Sequence, residues 1–454
     1  MGNVSVSQME KSPVIAIAGA GASGLMAAIS ALHAGARVIL LDRNDRPGAK
    51  IYATGNGRCN LSNRIMTKEC YYSESGEDIL RRMEPFGPES VCRFFTERGI
   101  LLHERNGYLY PRTDQASTVV SALVRELRSF PERLEFLPGI RVSELTRGKK
   151  DDAPAFCIRG ESRGGNVLTR RADRVILASG GMVSKEFGCT GDGYRLAMSL
   201  GHTVTPLFPC LVPLVTQGSN QKAAAGVRTQ ARVTAVIDGK SVRSDTGEVQ
   251  FTERGISGIP VFQISHPLSE ALAENAAGHS PRRRIAVRMN FLPELSDGEF
   301  AKEAQRRLRS IRPDDTLGDL FAGLIPAKLS SLLIRDAGFA QEKKIRNLGG
   351  PAREENPDAA QRIPRLLLDT LRQKEFIICG TEDFHRAQVT GGGIPLAEVD
   401  SEFASRVCGG LYLAGELLDT DGICGGYNLT FAFSSGWIAG RSAAAGSNSY
   451  VILP

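Results

Sequence analysis

Residues 14–42 read VIAIAGAGASGLMAAISALHAGARVILLD, and this stretch decides the fold class of the chain. An apolar strand, a glycine-rich turn, a helix of small residues and a second apolar strand follow one another, which predicts a βαβ unit. The turn carries Gly19, Gly21 and Gly24, and Asp42 ends the second strand. In such units the glycines allow a tight turn and close approach of a pyrophosphate, and the acidic residue binds a ribose hydroxyl. The sequence therefore predicts a dinucleotide-binding unit, with an ordinary α/β turn as the alternative.

The far end of the chain indicates which dinucleotide is bound. Residues 407–440 predict a short strand over 411–414, a Gly-Glu pair, a glycine-rich loop and a helix. Two-part FAD folds use this arrangement to cover the ribityl chain and the isoalloxazine ring, whereas NAD-only folds do not need it. We expect Gly425 and Gly426 to pass close under the ring, and Asn428 to open a helix whose N–H groups face the flavin pyrimidine edge. The alternative is a surface hairpin followed by an amphipathic terminal helix.

Further motifs carry a family resemblance over most of the chain. They are TGNGRCNLSN (54–63), ILASGG (176–181), TGDG (190–193), LVPL (211–214), GISG (255–258) and VTGGG (389–393). In these motifs and their order the sequence resembles the BaiN/YhiN-type flavoproteins, a family of aminoacetone-oxidase-like FAD-binding enzymes. The resemblance implies an FAD-dependent oxidoreductase, with NAD(P)H as a possible electron donor and ketones, enones, steroids or bile-acid-like molecules as possible substrates. One departure is Glu253, which stands where the family often has a histidine and puts any mechanism through that histidine in doubt.

The motifs supply two sets of candidate site residues. The predicted cofactor-binding residues are Gly19, Gly21, Ala22, Ser23, Gly24, Asp42, Arg43, Lys50, Thr54, Gly55, Asn56, Gly57, Arg58, Cys59, Asn60, Ala178, Ser179, Gly180, Gly181, Gly415, Glu416, Asp419, Gly425, Gly426, Asn428 and Leu429. The candidate catalytic residues are Arg58, Asn60, Thr390 and Tyr427. Arg58 could instead pair with an FAD phosphate, Asn60 could cap a turn, and Tyr427 could simply pack.

The predicted fold class is α/β: a two-part Rossmann-type FAD-binding domain with an inserted β-barrel-like plus helical domain. Residues 1–205 form the first part of the FAD-binding domain, and residues 374–454 form the second part. The insertion covers residues 206–373. Alternating β-like runs and turns predict a β-rich segment over 206–293, and helical spacing follows over 294–373.

Composition agrees with a multi-domain enzyme. The chain has 454 residues, is 42% hydrophobic and contains no apolar run long enough for a membrane span, so no membrane association is expected. Nine scattered cysteines without a Cys-x-x-Cys pair favour the reducing cytoplasm and argue against a dithiol relay. Cys59 and Cys424 are expected to pack rather than to carry electrons. The six histidines form no metal-ligand spacing, so no metal is expected.

Charge and partners leave three function classes open. The net charge of +6 is mild, and the basic clusters at 282–284 and 306–307 lack interleaved aromatic residues, so no nucleic acid is expected. The favoured interpretation is an oxidoreductase that moves a hydride between flavin N5 and a small organic substrate, with FAD held non-covalently. A flavin-dependent RNA-modifying enzyme and a non-catalytic flavin-bound sensor or interaction protein are the alternatives. The oligomeric state is unknown at this point.

Overall fold

A computed structural model describes residues 12–73, 76–148, 155–218, 220–278, 281–348 and 357–446. The chain divides into two compact units. The first unit comprises residues 1–208 and 388–454, and the second unit comprises residues 209–387. Among the described residues, no helix combines the length and the apolar character that crossing a bilayer requires.

The strands and helices are numbered in chain order. The strands are β1 (Val14–Ala18), β2 (Arg37–Asp42), β3 (Ser62–Asn63), β4 (Tyr71–Tyr72), β5 (Leu102–Arg105), β6 (Tyr108–Pro111), β7 (Leu134–Pro138), β8 (Ile140–Arg147), β9 (Phe156–Ser162), β10 (Val167–Ala172), β11 (Arg174–Leu177), β12 (Phe208–Cys210), β13 (Leu214–Thr216), β14 (Arg228–Ile237), β15 (Lys240–Phe251), β16 (Gly255–Ser257), β17 (Ile285–Asn290), β18 (Lys374–Thr381), β19 (Val389–Gly391), β20 (Leu411–Leu413) and β21 (Asp421–Gly422). The helices are α1 (Ala22–His33), α2 (Gly76–Met83), α3 (Pro88–Glu97), α4 (Ala116–Leu127), α5 (Asp192–Ser199), α6 (Ile259–Gln263), α7 (Ser265–Ala277), α8 (Asp297–Ser310), α9 (Leu317–Phe321), α10 (Ala327–Asp336), α11 (Pro357–Gln373) and α12 (Tyr427–Ala445).

A five-stranded sheet of order β20-β11-β1-β2-β7 forms the centre of the first unit. Each neighbouring pair in it is parallel. Strand β1 is buried on both faces, which explains why its sequence is a continuous apolar run rather than an alternating one. Smaller antiparallel sheets, β10-β9-β8 and β3-β6-β5, belong to the same unit. The predicted α/β Rossmann-type fold class is confirmed.

Helices α1 and α12 pack against each other through small residues. A Cβ atom added at Gly436 would overlap the backbone oxygen of Ser23, and one added at Gly440 would overlap that of Ala27. The two glycines lie four residues apart, so they share one face of α12. The absence of side chains on this face lets the C-terminal helix lie directly on the helix that follows the glycine-rich turn.

The second unit contains a closed barrel of order β13-β16-β15-β14-β17-β18. Its core is separate from that of the first unit and joins barrel residues such as Val233 and Phe251 to helical residues such as Leu332. The structure differs from the predicted boundaries in two respects. Strand β18 pairs with β13 and β17, so residues 374–387 belong to the barrel unit rather than to the second part of the FAD-binding domain. Helices α6 and α7 interrupt the segment predicted as β-rich.

Candidate cofactor site

A cleft lies in the first unit at the carboxyl ends of β1, β2, β11 and β20. Ligands of open α/β sheets bind at this edge. The cleft is lined by residues 18–23, 41–44, 49–51, 54, 140–142, 178–180, 187–190, 192, 196, 388–389, 416, 420, 428–429 and 431–432. The βαβ unit and the start of α12, the two segments that the sequence analysis assigns to the cofactor, both contribute to this lining.

The three glycines of the first turn have different surroundings. Gly19 has a φ of +109°, and a Cβ atom there would overlap the backbone oxygen of Ala178. A Cβ atom at Gly24 would overlap the backbone oxygen of Gly19. At Gly21, by contrast, a Cβ atom would meet no protein atom within 4 Å. Gly19 and Gly24 are therefore required by the fold itself, whereas Gly21 leaves open space in the cleft that fits a closely approaching pyrophosphate.

The N-terminus of α1 faces this open space with its backbone. Gly21 is the N-cap residue, and among the described residues no side chain caps the helix by a hydrogen bond. The first turn of a helix has N–H groups without intrahelical partners and carries partial positive charge. Ala22 and Ser23 of this turn line the cleft. The arrangement suits an anionic group such as a pyrophosphate.

Asp42 links the glycine-rich turn to the end of β2. Its Oδ2 accepts a hydrogen bond from the N–H of Ala20 at 2.6 Å, and its Oδ1 accepts one from the N–H of Asn44 at 2.7 Å. Burial raises the pKa of Asp42, although both backbone donors oppose that change. The carboxylate thus organises the turn, and each oxygen keeps a further lone pair. Its hydrogen bond to a ribose remains a prediction.

An ion pair joins distant parts of the sequence inside the cleft. Lys50 Nζ lies 2.6 Å from Glu416 Oε2, and Glu416 Oε1 accepts a hydrogen bond from the N–H of Thr390 at 2.9 Å. Burial disfavours the charge on Lys50, but the Glu416 carboxylate outweighs it, and the pKa of Lys50 is raised. The lysine therefore stays charged within the cleft at neutral pH.

The start of α12 is placed partly as expected. Asn428 and Leu429 line the cleft. The Asn428 side-chain amide accepts from the N–H of Gly422 and donates to its oxygen, both at 2.7 Å, which fixes the loop before the helix.

Gly425 and Gly426 lie outside the cleft lining, and their passage under the flavin ring stays a prediction. A Cβ atom at Gly425 would lie 3.0 Å from Cε1 of Tyr108. At Gly426, where φ is +92°, a Cβ atom would lie 2.7 Å from the backbone oxygen of Ser62. Their requirement for glycine comes from packing against neighbouring protein segments.

The loop over residues 54–60 contributes less to the cleft than its motif suggests. Thr54 lines the cleft, whereas residues 55–58 are exposed and lie outside it. Cys59 is 0% exposed, and burial raises the pKa of its thiol to about 12. A thiol with this pKa stays protonated at neutral pH, which agrees with packing rather than redox chemistry. The direct cofactor contacts proposed for residues 55–60 therefore stay predictions.

The four candidate catalytic residues also lie outside the cleft lining. Thr390 is 1% exposed, and its hydroxyl accepts a hydrogen bond from the N–H of Met182 at 2.8 Å. Tyr427 is 5% exposed and its ring packs edge-on against Tyr71. Both side chains thus pack among protein groups, and a catalytic role for either stays a prediction.

Asn60 and Arg58 complete this set. With its amide oriented to satisfy both ends, Asn60 donates to the oxygens of Ser62 and Leu109 and accepts from the N–H of Gly426. Arg58 is exposed on the loop. The hydrogen bonds of Asn60 agree with the alternative that it fixes a turn, and catalytic roles for Arg58 and Asn60 stay predictions.

Three more predicted cofactor residues stand behind the cleft wall. A Cβ atom at Gly181 would lie 2.8 Å from Cβ of Thr390, and one at Gly415 would lie 2.6 Å from Oγ of Ser23. Asp419 accepts a hydrogen bond from the hydroxyl of Thr205 at 2.8 Å. These residues shape the wall without lining it.

The cleft also includes residues that the candidate set lacks. Among them are Asn44, Arg141, Phe187, Cys189, Thr190 and Asp192. The TGDG motif at 190–193 gave a signal for two of them, because it occurs among the motifs of the resemblance. Arg141 had no such signal, since strand β8 reaches the cleft only through the tertiary fold.

Comparison with known proteins identifies the family. A family model described as the HI0933-like protein Rossmann domain matches residues 13–442. The chain belongs to this HI0933-like family.

The chain is similar in sequence to two enzymes whose activities are described. It is 40% identical to a protein of Clostridium scindens described as a 3-dehydro-bile acid delta(4,6)-reductase, over 95% of this chain and 98% of that protein. It is 28% identical to a ribosomal RNA dihydrouridine synthase of Escherichia coli, over 97% of this chain and 100% of that protein. Among solved structures, a 3-ketosteroid-delta4-(5alpha)-dehydrogenase from Rhodococcus jostii matches with a TM-score of 0.42 and 15% identity, over 95% of this chain and 96% of that chain.

The family match and the relative at 40% identity confirm the resemblance to BaiN/YhiN-type flavoproteins and the enzyme class. The HI0933-like chain is an FAD-dependent oxidoreductase. Its cleft agrees with FAD as the cofactor, because an open phosphate cradle at Gly21 and the start of α12 line the same cavity.

Proposed function

We propose that this enzyme reduces an activated carbon–carbon double bond in a small polycyclic ketone of the steroid or bile-acid type. The observation that carries the flavin part of the proposal is the cleft at the sheet edge, with open space at Gly21 and an uncapped helix N-terminus beside it. The relative at 40% identity, described as a bile-acid delta(4,6)-reductase, supports the substrate class. NADH or NADPH is the proposed electron donor.

The residues of the cleft would divide the work along the cofactor. The first turn of α1 would hold the pyrophosphate, and Asp42 would hold the adenosine ribose. Lys50, Glu416 and Asn428 would lie along the part of the cofactor nearer to α12. FAD, when bound, supplies hydride chemistry, while the protein orients it and tunes its charge.

A second candidate function is the reduction of a uridine base in RNA. It is favoured by the relative described as a ribosomal RNA dihydrouridine synthase, since saturation of a conjugated double bond is common to both names. The charge distribution opposes it. In the basic clusters, Arg284 lies 2.9 Å from Glu375, and Arg306 and Arg307 lie 2.7 and 2.8 Å from Glu303. Arginines that are paired in this way offer less attraction to RNA phosphates.

The cellular location is part of the same proposal. All nine cysteines lie in the described part of the chain, and none of them forms a disulfide. We infer a cytoplasmic enzyme, because unpaired thiols persist in a reducing compartment. Recovery of the native protein in an oxidised, disulfide-linked form from cell extracts would contradict this inference.

Two half-reactions test the function. The purified protein is reduced anaerobically with NADH or NADPH and then mixed with a 3-oxo-4-ene steroid, a 3-oxo-4,6-diene bile acid, a saturated 3-oxo analogue or ribosomal RNA. We expect an enone or dienone to reoxidise the flavin with one carbon–carbon double bond reduced per flavin, and the saturated analogue to leave it reduced. Reoxidation by RNA alone would establish the second candidate. Reoxidation by none of the four would leave a non-catalytic flavoprotein.

A further inference from the structure

The segment Lys185–Asp192, here called the strap, connects the turn after β11 to the start of α5. Residues 187–190 and 192 line the cofactor cleft. The strap is not part of the central sheet, and its lining residues are partly exposed except for Cys189. It is therefore a peripheral wall of the cleft.

Side chains that follow β2 hold the strap in place. Arg43 Nη1 donates hydrogen bonds to the hydroxyl of Thr190 at 2.7 Å and to the oxygen of Gly188 at 3.3 Å. Asn44 Nδ2 donates to the oxygen of Phe187 at 2.8 Å. The strap packs so closely on Arg43 that a Cβ atom at Gly188 would lie 2.6 Å from Cδ of that arginine.

The order of the strands shows where the strap runs. Strand β1 lies between β11 and β2 in the sheet. A segment that leaves β11 and is bonded to residues following β2 must pass across the carboxyl end of β1. That end carries the glycine-rich turn with Gly21, where the open cradle lies.

A carboxylate between two arginines completes the fastening. Asp192 Oδ1 lies 3.1 Å from Arg141 Nη1, and its Oδ2 accepts from the Thr190 hydroxyl at 3.0 Å and lies 3.5 Å from Arg43 Nη1. Arg43 and Arg141 are each more than a third exposed. Water can replace such contacts at small cost, so the strap can open while the sheet stays intact.

We propose that the strap is a gate that a dinucleotide must open to enter or leave the cleft, with Arg43 and Thr190 as its latch. The inference rests on the proposed binding of FAD in this cleft and is independent of the substrate. It assigns Thr190 and Asp192 to the retention of the cofactor rather than to chemistry.

The first measurement is the rate of FAD release from the loaded protein, followed by flavin fluorescence. Thr190→Val removes the acceptor of the short hydrogen bond, and Arg43→Met removes its donor. We expect each variant to release FAD about two- to five-fold faster, as the loss of one contact of a partly exposed charged group implies. The matched control is Arg163→Met, because Arg163 pairs with Asp45 at 3.7 Å on the exposed surface and lies outside the cleft lining. This control should release FAD at the wild-type rate.

A second measurement separates a gate from a direct contact between Arg43 and FAD. Lys185 begins the strap, so tryptic cleavage after Lys185, mapped by mass spectrometry, reports its opening. We expect cleavage in the apoprotein to be faster in both latch variants than in wild type, and FAD to slow it in wild type.

The outcomes distinguish a failure of the gate from a failure of FAD binding. Faster FAD release without faster cleavage of the apoprotein would show a direct cofactor contact and overturn the gate, as would unchanged rates in both assays. A wild-type protein that binds no FAD would instead overturn the proposed function, and the cleavage assay on the apoprotein would still report whether Arg43 and Thr190 fasten the strap.

Discussion

At the scale of single residues, the glycine-rich turn contains two glycines that the fold requires and one that leaves space for a ligand. Gly19 and Gly24 are packed against backbone atoms of the chain itself, so substitutions there would disturb the fold. Gly21 has free space in front of it, so a side chain there would displace only a ligand. The sequence already predicts separate roles, with a tight turn at Gly19, the approach of a pyrophosphate at Gly21 and close packing at Gly24, and their surroundings agree with these roles.

Asp42 should be important for cofactor affinity. Asp42→Ala removes the acceptor for the N–H groups of Ala20 and Asn44 and the predicted ribose contact. We expect FAD binding to weaken by about 1.5–3 kcal/mol, the range for a hydrogen bond to a charged group. Asp42→Asn, which keeps one acceptor oxygen, is the control and should lose less. Titration of the apoproteins with FAD measures both, and equal affinity in Asp42→Ala and wild type would contradict the assignment.

The same residue predicts a pH dependence. Because burial raises the pKa of Asp42 above its usual 3.8, the carboxylate takes up a proton at a higher pH than an exposed aspartate does. The charged acceptor is then present at neutral pH and is lost as the pH falls through the raised pKa. FAD affinity of the wild type should therefore decline on acidification, and the decline should be smaller in Asp42→Asn. Parallel pH profiles for the two proteins would show that another group is responsible.

Cys59 should be unreactive despite its place in a flavin-loop motif. Burial raises the pKa of its thiol to about 12, and its side chain is fully buried. Only the thiolate reacts readily with iodoacetamide. At pH 8 we expect the native protein to be labelled at Cys379, which is exposed, long before Cys59. Peptide mapping that finds equal labelling of both would rule out the packing role.

At the scale of secondary-structure elements, the contact between α1 and α12 unites the two ends of the sequence. Gly440→Val would drive a side chain into the backbone of Ala27. Overpacking of this kind typically costs about 1–3 kcal/mol, and more where backbone must move. Ala445→Val, at an exposed position near the end of the same helix, is the control for the helix propensity of valine. Urea unfolding measures both variants, and equal stabilities would mean that the two helices are not closely packed.

The sequence predicts the parts of the site whose residues lie close together along the chain, and it misses those whose residues are far apart along it. The β1–α1–β2 half is predictable because the apolar strand, the glycines and Asp42 lie in one short stretch. The sequence does not predict that Lys50 pairs with Glu416 or that Arg43 pairs with Thr190. These residues are far apart in the chain, and the order of the strands in the sheet brings them together. At Gly425 and Gly426 the sequence indicates a ligand, but packing against protein atoms by itself accounts for glycine at both positions, and their contact with the flavin ring stays a prediction.

At the scale of the whole molecule, the fold class follows from the sequence but the extent of the inserted unit does not. Strand β18 is an apolar run in the sequence. A run of this kind is compatible with a strand of the central sheet and equally with a strand that closes a barrel. Its pairing with β13 and β17 decides for the barrel, and no local signal carries that information. The boundary of the inserted unit is therefore defined by strand pairing in the structure.

The most direct test of the central claim is the FAD content of the protein with and without a side chain at residue 21. We predict that the wild type releases about one FAD per chain on acid treatment, and that Gly21→Val keeps the thermal stability of the apoprotein while binding no FAD. Gly298→Val, at another glycine with open space around its Cβ position, is the control and should bind FAD normally. Normal FAD binding by Gly21→Val, or a wild type that carries FMN or a covalently attached flavin, would contradict the account.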